Sequence, residues 1–252
     1  IDSNLNIEKY KFTNFEKSLE YCYNHYKHPK LDSNINSSDI LFLIDLDGTL
    51  INSEYYHYLS YYNAFKYYNL NCISYEEYCH YITNSNDDII NIILNKNTAL
   101  SMNKIKEIKE KKQVYFKKFI NDNNISYMNN SEYLLEYIKK YDINSVVVTN
   151  TNKENCNLLK KKLNLLNNIK YWITREDYKE KKPSSECYEL ALKKYKKNEK
   201  HIIGFENTLR GYNSLNKITK KIYLICNKNS LEYLSFKNIE CFKLDDYRKI
   251  LN

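Results

Sequence analysis

A short apolar run, Ile40–Ile44, is the clearest secondary-structure signal in the chain. Five consecutive apolar residues without alternation are typical of a strand buried on both faces of a parallel sheet. The spacing of apolar residues then becomes helical, and from about residue 53 to residue 123 the pattern predicts helices and no strand. The helices predicted in this block are Tyr55–Asn69, Ser74–Ile82, Asp87–Lys96 and Met102–Asn121.

Beyond residue 130 the pattern alternates between helical and strand periods. The predicted helices are Glu132–Lys140, Lys153–Leu163, Ser184–Lys197, Leu209–Thr219, Ser230–Leu234 and a last one from Asp245. The predicted strands are Ile143–Thr149, Ile169–Thr174, His201–Phe205, Ile222–Cys226 and Ile239–Leu244. Repeated alternation of this kind indicates an α/β fold, a Rossmann-like parallel sheet with helices on both faces.

The helical block is therefore an insertion after the first strand. We expect three parts: an N-terminal extension over 1–39, with a helix at Asn14–Tyr26, a core over 40–52 and 130–252, and an all-α cap over 53–129.

The amino-acid composition bears on whether the protein binds nucleic acid or a membrane. The net charge is +8, but only three of the 39 basic residues are arginines, which favours a solvated lysine surface over a nucleic-acid site. No apolar run approaches the roughly 20 residues that a membrane span needs, so no membrane partner is expected. Seven cysteines without a C-x-x-C pair indicate reduced thiols and a cytoplasmic location, with a targeting segment upstream of Ile1 as an open alternative.

Polar side chains follow the predicted strands at their carboxyl ends, where open α/β sheets bind ligands. The candidates at strand ends are Asp45, Asp47, Thr149, Asn150, Glu206 and Asn207, and a further candidate is Lys182, which with Pro183 opens a helix between them. Carboxylates, a hydroxyl and an ammonium group at one sheet edge indicate metal-assisted phosphoryl transfer.

Each candidate has a chemical role in such a reaction. Asp45 is a competent nucleophile toward phosphorus once a cation offsets the repulsion between two anions. Asp47 is the candidate general acid, with its backbone carbonyl near the metal. Glu206 and Asn207 add hard oxygen donors, so Mg²⁺ is the predicted cofactor, held by Asp45, Asp47, Glu206 and Asn207.

Phosphate binding is expected around the same turn. Thr149 can hold a phosphoryl oxygen, and Lys182 can balance the negative charge of nucleophile and phosphate. We expect further phosphate contacts from Gly48, Thr49 and Asn150. The chain has only three glycines, and Gly48 permits the sharp turn that brings both carboxylates to one pocket.

Four ordered segments resemble the motifs of the haloacid dehalogenase (HAD) superfamily. They are Asp45-Leu46-Asp47-Gly48-Thr49-Leu50, Thr149, Lys182-Pro183, and Gly204-Phe205-Glu206-Asn207-Thr208 followed by Gly211. The resemblance spans about residues 40–252. The insertion after the first motif is similar to the α-helical cap of the subgroup that holds phosphoglycolate phosphatase-like enzymes and β-phosphoglucomutase.

The resemblance implies a Mg²⁺-dependent phosphatase that acts on a small phosphorylated metabolite through an aspartyl-phosphate on Asp45. Family members that keep the acid matching Asp47 are phosphatases or mutases rather than dehalogenases. His57 matches a histidine near the cap hinge and is a candidate substrate contact. A sugar phosphomutase stays an alternative, although residues 84–88 lack the basic residue that mutase-like caps tend to present.

One residue departs from the family pattern. The position of Asn207 commonly holds an aspartate that ligates the metal, and an amide brings an oxygen but no charge. Asn207 is alternatively a helix N-cap in a chain with reduced activity. A HAD-fold interaction protein is therefore a further alternative.

Two other features of the predicted cap have simpler interpretations. Its first helix is rich in tyrosine, which indicates packing of cap against core rather than a stacking pocket. The lysines between 104 and 118 alternate with Glu107 and Glu110, which predicts a solvated helical face.

Overall fold

The computed structural model describes residues 36–84, 89–97, 100–122, 125–226 and 241–251. The helices predicted at Asn14–Tyr26 and Ser230–Leu234 lie outside these residues.

A six-stranded parallel sheet forms the centre of the molecule, which confirms the predicted α/β class. Its strands are β1 (Ile40–Ile44), β4 (Asn144–Val148), β5 (Tyr171–Ile173), β6 (His201–Glu206), β7 (Ile222–Ile225) and β8 (Phe242–Leu244). They lie in the order β5-β4-β1-β6-β7-β8. Strand β1 is therefore central, with Phe42 opposite Ser145 on β4 and Ile203 on β6.

Alternate residues of β1 pack in two different apolar clusters. Phe42 and Ile44 pack in a cluster on one face of the sheet, whereas Leu41 and Leu43 pack in a cluster on the other. All five residues of the strand are buried, which explains the unbroken apolar run in the sequence.

Within the described ranges, four helices surround the sheet. They are α5 (Ser131–Lys140), α6 (Lys153–Lys162), α7 (Glu186–Tyr195) and α8 (Leu209–Leu215). Leu134, Leu135 and Ile138 of α5 join the core cluster on the Phe42 face, whereas Cys187, Tyr188 and Ala191 of α7 join the cluster on the Leu41 face. Helices therefore cover both faces, as parallel strands require.

Four further helices of the described chain follow the first strand and form the inserted helical block. They are α1 (Glu54–Tyr67), α2 (Tyr75–Asn84), α3 (Ile89–Leu94) and α4 (Met102–Asn121). They enclose a separate apolar cluster that includes Phe65, Ile93 and Ile108. The chain enters and leaves this block through a two-stranded antiparallel ladder of β2 (Ile51–Asn52) and β3 (Ser126–Tyr127).

Several details differ from the sequence prediction. The ladder of β2 and β3 was not predicted, because two-residue strands carry no periodic signal. The helix predicted from Asp245 is a single 3₁₀ turn, Tyr247–Lys249, which the Asp246 side chain caps by accepting a hydrogen bond from the backbone N–H of Arg248. Among the described residues, no helix has the length and apolar character that crossing a membrane requires.

Candidate active site

The loop after β1 places the carboxylates of Asp45 and Asp47 at the same edge of the sheet. The backbone N–H of Asp45 donates to the Phe205 carbonyl at 2.9 Å, so Asp45 continues the ladder with β6. Gly48 has a φ of +74°, in the left-handed region that favours glycine. Its N–H donates to the Ile51 carbonyl at 2.8 Å, which closes the turn and returns the chain to β2.

Asp45 is held by a buried ammonium group. Lys182, 6% exposed, donates to Asp45 Oδ1 at 2.6 Å, to Glu206 Oε1 at 2.7 Å and to the Val148 carbonyl at 2.8 Å. Burial, with help from the Glu206 carboxylate, raises the pKa of Asp45 well above its ordinary value, although Lys182 opposes the rise. Burial disfavours the charged lysine, but Asp45 and Glu206 outweigh it and raise the pKa of Lys182, which therefore stays an ammonium group.

Asp47 accepts hydrogen bonds from four side chains. Ser53 and Thr151 donate to its carboxylate at 2.6 Å each, Thr149 at 3.4 Å, and His57 Nε2 lies at 3.0 Å. Burial alone would raise the pKa of Asp47, but His57 and the hydroxyls of Ser53 and Thr151 outweigh it and hold the pKa well below its ordinary value. The pKa values of the two carboxylates in this loop are therefore shifted in opposite directions, upward for Asp45 and downward for Asp47.

A buried lysine of the helical block completes this network. Lys112, on α4 and 7% exposed, lies with its Nζ 3.0 Å from His57 Nδ1, and the imidazole stacks on Phe116 with ring centres 4.0 Å apart. Burial and the Lys112 ammonium lower the pKa of His57, against the effect of Asp47. A neutral imidazole that accepts a hydrogen bond from Lys112 at Nδ1 carries its proton on Nε2. The Nε2–H group then donates a hydrogen bond to Asp47.

A cavity of about 400 Å³ opens onto these groups. The sheet side supplies Asp45, Asp47 and Lys182, and the helical block supplies residues that include Tyr61 and Lys112. Both parts of the chain therefore line one pocket, a size suited to a small ligand.

Thr149 and Asn150 both lie at this pocket, at the end of β4. The Thr149 hydroxyl reaches Asp47 and accepts from the backbone N–H of Thr151 at 3.0 Å, whereas the Asn150 side-chain oxygen accepts from the Tyr178 hydroxyl at 2.6 Å. The Thr49 hydroxyl is buried and donates to Asp45 Oδ2 at 3.3 Å.

Glu206 and Asn207 have different surroundings. Glu206 Oε1 accepts from Lys182 and from the Tyr188 hydroxyl, the latter at 2.6 Å, and Oε2 accepts from the backbone N–H of Asn207 at 3.2 Å. A Cβ at Gly211 would fall 1.9 Å from Glu206 Oε2, so this carboxylate is packed against the backbone of α8. Asn207 lines the cavity instead, next to Asp45.

The donor set at this edge suits a magnesium ion. Asp45 Oδ2 and Asn207 Oδ1 are both hard oxygens, and both lie near the Thr49 hydroxyl, at 3.3 and 3.5 Å. Mg²⁺ commonly takes one or two protein carboxylates and completes its shell with waters and phosphate oxygens. Within the described part of the chain no group of three or more His, Cys, Asp or Glu side chains is arranged to hold a metal, so the fit depends on the Asn207 amide.

Several residues of the network were absent from the sequence prediction. Lys112 is buried against His57, so the prediction of a solvated face over residues 104–118 was wrong at this position. The sequence did indicate this burial, because Lys112 lies at intervals of four residues from Ile108, Phe116 and Ile120, all of which are buried.

Ser53, Thr151 and Glu54 were also missed. Serine, threonine and glutamate are common beside loops and at helix starts, and nothing in their spacing separates these three from ordinary caps.

Comparison with known proteins assigns the family. The family model described as haloacid dehalogenase-like hydrolase matches residues 40–223. The chain therefore belongs to the haloacid dehalogenase-like hydrolases, a family of enzymes, and the resemblance stated from the four motifs is confirmed. A search of curated proteins found no match.

Solved structures share the fold. CbbY from Rhodobacter sphaeroides, in complex with phosphate, superimposes with a TM-score of 0.69 and 20% identity over 83% of this chain and 98% of that chain. A HAD hydrolase of family IA, variant 3, from Entamoeba histolytica gives 0.67 and 23% over 84% and 95%. The β-phosphoglucomutase of Clostridium difficile gives 0.67 and 20% over 82% and 90%.

Proposed function

We propose that the protein is a Mg²⁺-dependent phosphomonoester phosphatase for a small phosphorylated metabolite. The observation that carries the proposal is the pair of carboxylates, Asp45 and Asp47, which face one cavity beside the buried Lys182 ammonium group. Two of the structural neighbours support the same chemistry: one was solved in complex with phosphate, and another is a β-phosphoglucomutase.

In the first half of the reaction Asp45 attacks phosphorus, and an Asp45 O–P bond forms as the bond from phosphorus to the leaving oxygen breaks. The negative charge of the bound phosphate raises the pKa of Asp47, which takes up a proton as the substrate binds and gives it to that leaving oxygen. In the second half water attacks phosphorus, the Asp45 O–P bond breaks, and Asp47 takes the proton from the water.

The remaining residues orient these two groups and balance charge. Lys182 offsets negative charge on Asp45 and on the transferred phosphoryl group, and Thr149 is placed to hold a phosphoryl oxygen. Asp45 and Asn207, with the Asp47 backbone carbonyl, would hold the magnesium ion. When bound, the ion supplies positive charge that offsets the repulsion between Asp45 and the phosphate. Glu206 acts from further away, as the second partner of Lys182.

The test is phosphate release from p-nitrophenyl phosphate and from a panel of sugar phosphates, nucleotides and phosphorylated acids at millimolar Mg²⁺. Asp45→Asn should abolish turnover of every substrate that the unaltered protein hydrolyses. The matched control is Asp39→Asn, which removes an acid at the other end of β1 that pairs with Lys200. No turnover across the panel, or turnover that survives Asp45→Asn, contradicts the proposal.

A phosphomutase uses the same phosphoryl chemistry with a sugar hydroxyl as acceptor in place of water. The observation in its favour is that residues of the helical block, Tyr61, Tyr78 and Ile82, line the cavity and can shield it from water. Product analysis separates the two functions, since a mutase converts a sugar phosphate into its isomer whereas a phosphatase releases inorganic phosphate.

A further inference from the structure

The Asn207 amide lies between the Glu54 carboxylate and the Thr49 hydroxyl, and the carboxylate determines which way the amide faces. Its Nδ2 donates to Glu54 Oε1 at 3.4 Å, and its Oδ1 accepts from the Thr49 hydroxyl at 3.5 Å. A carboxylate can only accept hydrogen bonds, so only the NH₂ group of the amide is attracted to Glu54. The amide oxygen is consequently directed to the side of Asp45.

The backbone confines the same amide. Asn207 is 5% exposed, and a Cβ at Gly48 would fall 1.9 Å from its Nδ2. The absence of a side chain at Gly48 thus leaves room for the NH₂ group beside Glu54.

Glu54 is itself tied to the helical block. Tyr78, on α2, donates its hydroxyl to Glu54 Oε2 at 3.0 Å. Burial and the Glu54 carboxylate raise the pKa of Tyr78 well above its ordinary value, so the hydroxyl stays protonated and remains a donor. The two oxygens of Glu54 therefore connect α2 on one side with Asn207 on the other.

We propose that Glu54 is a positioning residue for the divalent cation: it holds the Asn207 amide with its oxygen, and not its NH₂ group, toward the cation. Tyr78 makes this orientation depend on the position of α2. The inference rests on the proposed function, because it takes Asp45 and Asn207 to be cation ligands. An uncharged ligand that can rotate needs such a partner, whereas a carboxylate presents an oxygen in either orientation.

Calorimetric titration of the full chain with Mg²⁺, without substrate, tests the role of Glu54. Glu54→Met keeps the side-chain length but removes the acceptor, and the dissociation constant should rise at least about tenfold, as for other residues that orient metal ligands. Tyr78→Phe removes one hydrogen bond and should raise the constant about fivefold. The matched controls on α2, Glu76→Met and Tyr75→Phe, should leave it unchanged.

A double-mutant cycle separates orientation from simple charge attraction. Asn207→Asp places a carboxylate against Glu54, so its gain in Mg²⁺ affinity should be small in the unaltered chain. In the Glu54→Gln background the new carboxylate gains an amide donor, and the same substitution should raise affinity several-fold more. Equal effects in both backgrounds would mean that Glu54 acts through its charge alone and would overturn the proposal.

The failures of the two proposals are distinguishable. No Mg²⁺ binding by the unaltered chain, with or without beryllium fluoride as a phosphate mimic, would overturn the metal-dependent function and this inference together. Normal binding that Glu54→Met and Tyr78→Phe leave unchanged would overturn only the role of Glu54.

Discussion

Lys112 is a charged side chain on a helix face that is otherwise apolar. Its neighbours on α4 at intervals of four, Ile108 and Phe116, are fully buried, so an apolar residue at position 112 would suit packing at least as well. The ammonium group instead lies against His57. A charged residue at such a position is better explained by the orientation that it gives to His57 and, through His57, to Asp47.

Lys112→Met should therefore separate activity from stability. We expect kcat to fall about tenfold, because the imidazole that donates to Asp47 loses its own donor, while the melting temperature stays equal or rises. Lys111→Met is the matched control, since Lys111 stacks on Tyr67, with its Nζ 3.7 Å from the ring centre. Steady-state kinetics and thermal unfolding of both variants check the expectation, and an equal kcat in the two would contradict it.

Gly48→Ala should impair both folding and metal binding. At a φ of +74° a Cβ is strained, and here it would also collide with the Asn207 amide, so the free energy of unfolding should fall by about 1–3 kcal/mol. Displacement of Asn207 should weaken Mg²⁺ binding in calorimetry.

Asn69→Ala is the control for strain alone, because Asn69 has a φ of +53° at an exposed position. It should lose stability but keep the Mg²⁺ affinity of the unaltered chain. If Asn69→Ala weakened Mg²⁺ binding as much, collision at Gly48 would not be the cause.

The candidate site was predictable where chemistry follows strand ends. Asp45 and Thr149 meet at one edge because parallel strands end together, a property that the alternating pattern already implies, whereas Lys182 reaches this edge from the loop before α7. Glu54, Tyr78 and Lys112 were not predictable in the same way. Their roles depend on how helices of the insertion rotate against the sheet, and no local spacing specifies that rotation.

At the scale of elements, the start of β4 is tied to the loop before β6. Asn144, the first residue of β4, donates from its side chain to Glu199 and to the Tyr195 carbonyl, and the backbone N–H of Lys197 donates to Glu199 at 2.6 Å. Burial raises the pKa of Glu199, but these donors outweigh it and lower the pKa below its ordinary value.

Glu199→Gln should consequently destabilise the fold in a pH-dependent way. A carboxyl whose folded pKa is lowered stabilises the protein above its unfolded pKa, about 4.3, and loses that contribution as pH falls through the folded pKa. We expect a loss of about 1 kcal/mol at pH 7 that shrinks toward pH 3.5. Urea unfolding at both pH values measures it, with the exposed Glu136→Gln as control; a loss independent of pH would contradict the assignment.

The bounds of helices and strands were predicted correctly where burial of one face imposes a regular spacing of apolar residues. Helix α4 begins and ends where the sequence predicted, at Met102 and Asn121, because its Ser101 cap and its apolar stripe are both local signals. The 3₁₀ turn at Tyr247–Lys249 was predicted as a helix, since the local pattern there does not show that Tyr247 is fully buried against the sheet.

At the scale of the whole molecule, one cavity is lined by residues of both the sheet side and the helical block. A ligand that binds only this folded arrangement stabilises it by about 2.7 kcal/mol at a concentration of 100 Kd. Mg²⁺ with beryllium fluoride should therefore raise the melting temperature by roughly 5–10 °C for a chain of this size. Asp45→Asn should abolish the shift and Asp39→Asn should keep it; a shift that persists without Asp45 would place the ligand elsewhere.

The ladder of β2 and β3 has a consequence for how the chain tolerates change. Ile51 pairs with Tyr127, and Asn52 pairs with Ser126, so everything between them leaves and re-enters the sheet region at one place. Because the two ends lie side by side, the entropy of closing this long loop grows only with the logarithm of its length. Insertions, deletions or wholesale exchange of the segment leave the strand order on either side untouched. Such changes alter the side of the cavity that the helical block supplies, while Asp45 and Lys182 keep their places on the sheet side.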